Sequence, residues 1–95
     1  MEKQPINSCR FVGQLYRYSV SIIGDGHILG KGELRLVDSE TNTYQSIKII
    51  AWYDLAQRLE LVPEASWISI LTSYAPSEFM GRVDDQFSVG AFHVL

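Results

Sequence analysis

The run TYQSIKIIAWYDLAQRLEL, from Thr43 to Leu61, constrains the fold more than any other part of the chain. It reads as a strand that turns directly into a short amphipathic helix. Tyr44, Ser46, Lys48, Ile50 and Trp52 fall on one side of the strand at period two, and Gln45, Ile47, Ile49 and Ala51 on the other. Leu55, Ala56 and Leu59 then recur at helical spacing. One strand face is thus aromatic, basic and aromatic in turn, and a helix follows that can seal something nearby. The combination fits a small barrel whose outer surface meets a nucleic-acid strand.

The rest of the chain supplies the other walls. Met1 to Ile6 is expected to fray, with Pro5 opposing helix. Asn7 to Tyr18 alternates as a first strand, with Cys9, Phe11, Gly13 and Leu15 inward and Arg10, Val12 and Gln14 outward. Gly13 suggests a bend or bulge of the kind a small barrel needs to close. Ser19 to Gly32, centred on Gly24-Asp25-Gly26, reads as a long hairpin loop. Gly32 to Val37 is a second strand, with Leu34 and Leu36 inward, and Asp38 to Asn42 is a polar turn. The helix begins near Tyr53 or Asp54 and ends before Pro63.

Ser66 to Tyr74 is a fourth strand, led inward by Trp67 or Ile68. Ala75 to Asp85 is a polar loop. Gln86 to Leu95 is a fifth strand, with Phe87, Val89, Ala91 and His93 on one face and Ser88, Gly90, Phe92 and Val94 on the other. Three strands, one helix and two strands describe an all-β, five-stranded Greek-key barrel with one short helix between strands 3 and 4, the OB-fold. A five-strand sandwich with a helical crossover is the competing shape. The 95 residues suffice for one domain, 1–95.

Composition narrows the function classes. Cys9 is the only cysteine, so neither an intrachain disulfide nor a cysteine metal cluster is available, and a buried, inert thiol in a reducing interior is expected. No signal peptide or membrane-length apolar run is visible, which makes a cytoplasmic protein the expectation. His27 and His93 stand far apart, and no nucleophile–base set can be named from spacing, so neither an enzyme, a cofactor nor a small-molecule substrate is implied. The GDGHILGKG stretch lacks the Gly-Lys-Ser/Thr ending of a phosphate loop. The net charge of −3 opposes a broadly basic surface and restricts any phosphate contact to a local stripe.

Three stretches resemble the bacterial single-stranded DNA-binding protein (SSB) family. Asn7-Ser8-Cys9-Arg10-Phe11-Val12-Gly13-Gln14-Leu15 is similar to the family's opening strand, Asn-x-apolar-x-apolar-Val-Gly-x-Leu. Ile49 to Gln57 resembles its third strand and helix start, where an aromatic residue ends the strand and Leu-Ala-Glu/Gln opens the helix. Gln86 to Val94 resembles its closing strand after a long hairpin. Tyr53 departs from the pattern, since the family usually has a small residue there, commonly Gly. The family's acidic tail is expected to be missing after Leu95. The resemblance implies sequence-independent binding of single-stranded DNA in replication, recombination or repair, and a homo-oligomer, dimer or tetramer, built partly through the first strand.

Single-strand binding needs cations that track phosphate and flat rings that stack on bases. Trp52 and Tyr44 are the stacking candidates on the third strand; each could instead cover a barrel end or a subunit interface. Lys48 between them would meet phosphate, or be an ordinary solvated lysine. Arg35 on the neighbouring strand could join it, or pair with Glu33 or Asp38. Arg10 would project from the first strand onto the same surface. Arg17, flanked by Tyr16 and Tyr18, begins a loop of the kind that clamps ligands in this fold. Tyr74, Phe79 and Arg82 would reach over from the fourth-to-fifth strand loop, where an exposed Phe suits either a base or a protein partner. Trp67 is expected in the core. An OB-fold module used for protein contact is the alternative reading.

Overall fold

The computed structural model describes residues 8–38 and 40–95. The expectations of a frayed lead-in and of Asn7 opening the first strand lie outside these residues. The elements are β1 (Ser8–Ile23), β2 (His27–Asp38), β3 (Thr43–Trp52), α1 (Tyr53–Glu60), β4 (Trp67–Tyr74), β5 (Ser77–Phe79), β6 (Arg82–Asp84) and β7 (Gln86–Val94). Five of them close a barrel in the order β1-β2-β3-β7-β4, and β5 and β6 form a separate hairpin. All barrel ladders are antiparallel except β3–β7, which is parallel and runs only from Lys48↔Gln86 to Ile50↔Ser88. The architecture is the expected Greek-key barrel with its helix between the third and fourth strands.

Alternation along the strands fills the interior. Leu15, Leu34, Ile49, Ala51, Ile68, Ile70 and Val89 meet Ala56 and Leu59 of α1 in one buried cluster. Thr72 is the buried polar member, and its hydroxyl donates to the Cys9 carbonyl at 3.0 Å. Cys9 itself is only half-buried. Ile68, not Trp67, leads the inward set of β4, which leaves Trp67 45% exposed; the expectation of a core Trp67 is corrected. On β7 the inward face changes partway. Leu71 pairs with Ala91 but Thr72 with Val89, so Gly90 is an extra residue in a bulge. Beyond it Ala91 and His93 are exposed and Phe92 packs against the core, the reverse of simple alternation.

The segment Ser19–Gly32 is mostly strand rather than loop. Only the turn around Gly24 and Gly26 interrupts β1 and β2, and both glycines have positive φ. Gly30 and Gly32 serve another purpose: the ring of Tyr18 lies directly on them. A Cβ at Gly30 would stand 1.9 Å from the Tyr18 hydroxyl oxygen, and one at Gly32 2.9 Å from its ring. The ring crosses the gap left by the missing side chains, and its hydroxyl donates to the Ala56 carbonyl at 2.7 Å. This contact seats α1 on the end of the barrel. The Ala75–Asp85 segment also gains structure, because Ser77–Phe79 and Arg82–Asp84 pair about a turn whose Met80 and Gly81 both have positive φ.

Burial, with a smaller contribution from the Glu60 charge, pushes the Tyr18 hydroxyl up to about 12 from its ordinary 10.0. A group with a raised folded-state pKa adds stability that is complete below its unfolded value and is lost as pH rises through the folded one. Stability should therefore decline between about pH 10 and pH 12 as this hydroxyl ionises. Tyr18→Phe keeps the ring over the glycines but removes the hydrogen bond. It should cost about 1 kcal/mol in urea unfolding at neutral pH and show a shallower alkaline decline than the parent protein.

Candidate nucleic-acid interface

The outer face of β1, β2 and β3 is set by register. Tyr16 lies across from Glu33 and Glu33 from Lys48; Gln14 is level with Arg35 and Ser46; Ser19 is level with Lys31 and Ile50. Along β3 the face reads Tyr44, Ser46, Lys48, Ile50, Trp52, a run of about 27 Å at strand rise. Tyr44 is 61% exposed and Trp52 39%. Trp52 therefore stays on the surface, where it forms the N-cap of α1 with an extended backbone.

Arg35 does not form an ion pair with Glu33 or Asp38. Its guanidinium lies 3.9 Å from the Tyr16 ring centroid and 4.9 Å from that of Tyr44, with its Nε buried and without a hydrogen-bond partner. The three side chains form a ladder across β1, β2 and β3 that fixes Tyr44 on the face.

The β5–β6 hairpin stands over the middle of this face. A groove of about 380 Å³ lies between them, bordered by Arg17, Lys31, Lys48 and Ile50 on one side and Ser77 and Asp84 on the other. A second cleft of about 320 Å³ joins Lys48 to Phe79 and Arg82. Ser77, Phe79, Arg82 and Asp84 share one face of the hairpin, because Ser77 pairs with Asp84 and Phe79 with Arg82. Phe79 is 74% exposed at the tip. Lys48 Nζ meets Asp84 Oδ2 at 3.4 Å, both side chains being well exposed, so the pair closes the groove and is worth little to stability.

The structure thus brings together Tyr44, Lys48, Trp52, Arg35, Arg17, Phe79 and Arg82. It does not bring Arg10 to them. β1 changes partner along its length, and Arg10 lies level with Leu71 of β4, its Nη1 donating to Ser69 Oγ at 3.4 Å. The expectation that Arg10 shares a surface with Lys48 is corrected accordingly. Tyr74 does not reach over the groove either. Its ring packs on Phe87 with centroids 5.5 Å apart, and its hydroxyl donates to Asp85. That hydrogen bond raises its pKa, with burial and the Asp85 charge adding to the effect.

Lys31 is the groove cation that sequence reasoning missed. It fell within the supposed glycine loop; carrying the alternation of Leu34 back through Gly32 and Gly30 would have placed it outward, beside Glu33. In the sequence Tyr53 reads as a helix boundary and as a departure from a small residue. Its φ of 54° puts it in the left-handed region, at about 1–2 kcal/mol for a bulky residue. Among the described residues no cluster of three or more His, Cys, Asp or Glu could hold a metal ion, and no helix is long and apolar enough to cross a membrane.

No protein-family model and no curated protein sequence matches the chain. Solved structures do. The SSB domain of a Synechococcus protein aligns with a TM-score of 0.77 at 12% identity, covering 97% of this chain and 99% of that one. A PriB structure from Ralstonia solanacearum aligns with a TM-score of 0.76 at 14% identity, covering 96% and 100%. A second structure of the same protein gives 0.73 at 14%, covering 95% and 98%. At such identities the likeness establishes architecture: this chain has the OB-fold of an SSB domain.

If the ladder fixes Tyr44, Arg35→Met should free it. Tyr44 ring-proton shifts in an NMR spectrum should move towards random-coil values, while the melting temperature changes by only a few degrees.

Proposed function

We propose that the protein binds single-stranded DNA without sequence preference and without catalysis. The arrangement that carries the reading is the β3 face, where Tyr44, Lys48 and Trp52 are exposed at four-residue intervals beneath a hairpin that presents Phe79 and Arg82. Rings at both ends of the face stack on bases, and Lys48, Lys31 and Arg17 neutralise phosphate between them. Stacking contributes about 1–3 kcal/mol per base and accepts any base, because every base has a flat face. The likeness to an SSB domain supports the same class of ligand. Protection of unpaired strands in replication, recombination or repair, in the cytoplasm, follows from that ligand.

A homo-oligomer belongs to the same proposal. On the sheet opposite the groove, Val12, Trp67 and Leu71 are exposed together, with Arg10 at their edge. An apolar patch of this kind suits a second copy, and it leaves the β3 face open.

The acidic balance and the Lys48–Asp84 pair favour one rival, an OB-fold module for protein contact. Salt separates the two. Titration with oligothymidine, followed by tryptophan fluorescence, should show binding that weakens as salt rises. Trp52→Ala should weaken binding by about 5- to 150-fold and remove most of the quenching, whereas Trp67→Phe should leave both in place. Lys48→Ala should reduce the slope of log affinity against log salt by about 0.7. Asp84→Asn should tighten binding, because phosphate then no longer competes with a carboxylate for Lys48. Salt-insensitive or absent binding in the parent protein would sink the proposal in favour of the protein-contact module.

A further inference from the structure

Five non-glycine residues among those described have positive φ: Arg17, Asn42, Tyr53, Ala65 and Met80. Asn42 sits in a polar turn that suits it. Ala65 is small, and its N–H donates to the Leu15 carbonyl at 2.7 Å. Arg17 marks the β1 bulge and Met80 the hairpin turn. Tyr53 has no such local account. The chain must pass from the extended Trp52 into α1 within one residue, and glycine would make that passage without a steric penalty.

The Tyr53 side chain is not retained for the core. It is 50% exposed and lies outside the buried cluster. It meets two other exposed side chains. Its ring is tilted 39° to that of Trp52 with centroids 6.3 Å apart, and edge-on to His27 at 5.9 Å. Its hydroxyl and the His27 Nδ1 share a hydrogen bond. Ile23, paired with His27, continues the apolar surface at the end of the β1–β2 hairpin. The result is a three-ring edge that begins where the β3 face ends and shares Trp52 with it. Strain kept at an exposed aromatic residue, where a smaller one would fit better, is a mark of a contact surface.

We propose that Tyr53 is a ligand-contact residue, which with Trp52 and His27 takes one further nucleobase beyond the end of β3. The inference rests on the single-strand reading above and extends the track past Trp52 around the start of α1. The base is held by ring stacking, so the site does not select among bases.

Tyr53→Gly tests this, because a contact role and a structural role predict opposite changes in stability. Under the proposal the variant melts no lower than the parent protein, and binds a long oligothymidine about fivefold or more weakly. The shortest oligothymidine that reaches full affinity should also become shorter by about one nucleotide, since a stacking position is lost. Tyr53→Phe, which removes only the hydroxyl, should bind within about twofold of the parent protein if stacking is the dominant contact. A Tyr53→Gly protein that melts lower while binding undiminished would assign the residue to bracing the hairpin against α1 and overturn the proposal. If Trp52→Ala weakens binding and Tyr53→Gly does not, the inference falls and the single-strand reading stands. If the parent protein binds no oligothymidine, both fall.

Discussion

The barrel depends on β1 belonging to two sheets at once. Its 16 residues run along β4 from Ser8 to Gln14 and along β2 from Gln14 to Ile23. The change of partner happens where β2 comes very close: a Cβ at Gly13 would stand 2.3 Å from the Arg35 carbonyl oxygen. A second adjustment follows at Arg17, whose φ of 53° accompanies the register shift between Tyr16 and Ser19. The Arg17 N–H, turned out of the ladder, donates to Glu64 Oε1 at 3.0 Å. After this bulge Tyr18 points inward onto Gly30 and Gly32 and reaches the helix. The same strand therefore carries Arg10 on one sheet and Arg17 at the groove, and it anchors the element that follows Trp52.

That geometry explains how an acidic chain can offer a phosphate track. Arg17, Lys31 and Lys48 come from three different strands and converge on one groove, against the carboxylates of Glu33 and Asp84. The net excess of positive charge there is small. Electrostatics alone would hold a polynucleotide weakly and release it readily as salt rises. Under the proposed reading, Tyr44, Trp52 and Phe79 would supply most of the affinity, and ring stacking is nearly indifferent to both salt and sequence. A site balanced in this way would accept any exposed strand and disfavour duplexes, whose bases are already stacked on one another.

The order of the elements was legible because each relied on local chemistry: alternation in β3, helical spacing in α1, Pro63 after it. The misreadings fall where a residue's role departs from simple local alternation. Gly30 and Gly32 look like turn residues until Tyr18 is placed on them. Trp67 looks like core until Ile68 claims the interior. Gly90 reverses the faces of β7 through a bulge that strict period-two reading cannot contain. At the site, Lys48, Trp52 and Tyr44 were readable from one strand's alternation. The Tyr16–Arg35–Tyr44 ladder and the Lys48–Asp84 pair depend on register between strands, and Lys31 was hidden with the glycines around it.

The Trp52 end of the β3 face and its middle at Lys48 are held in different ways. At Trp52 the strand runs into a helix held by the Tyr18 hydrogen bond and by buried Ala56 and Leu59, so the backbone that carries the ring is anchored. At Lys48 the barrel closes through only the short parallel ladder from Lys48↔Gln86 to Ile50↔Ser88. Beyond it an open cleft of about 600 Å³ separates Gln45–Ile47 from Tyr74 and Phe87. The hairpin stands on this seam, its side-chain tie to β3 being one exposed ion pair. Local opening is easiest where few buried contacts resist it. Under the proposed reading, a strand entering the groove would displace Asp84 and lift the hairpin without disturbing the core. An anchored end and a compliant middle would suit such a ligand, whose backbone is regular and whose bases are not.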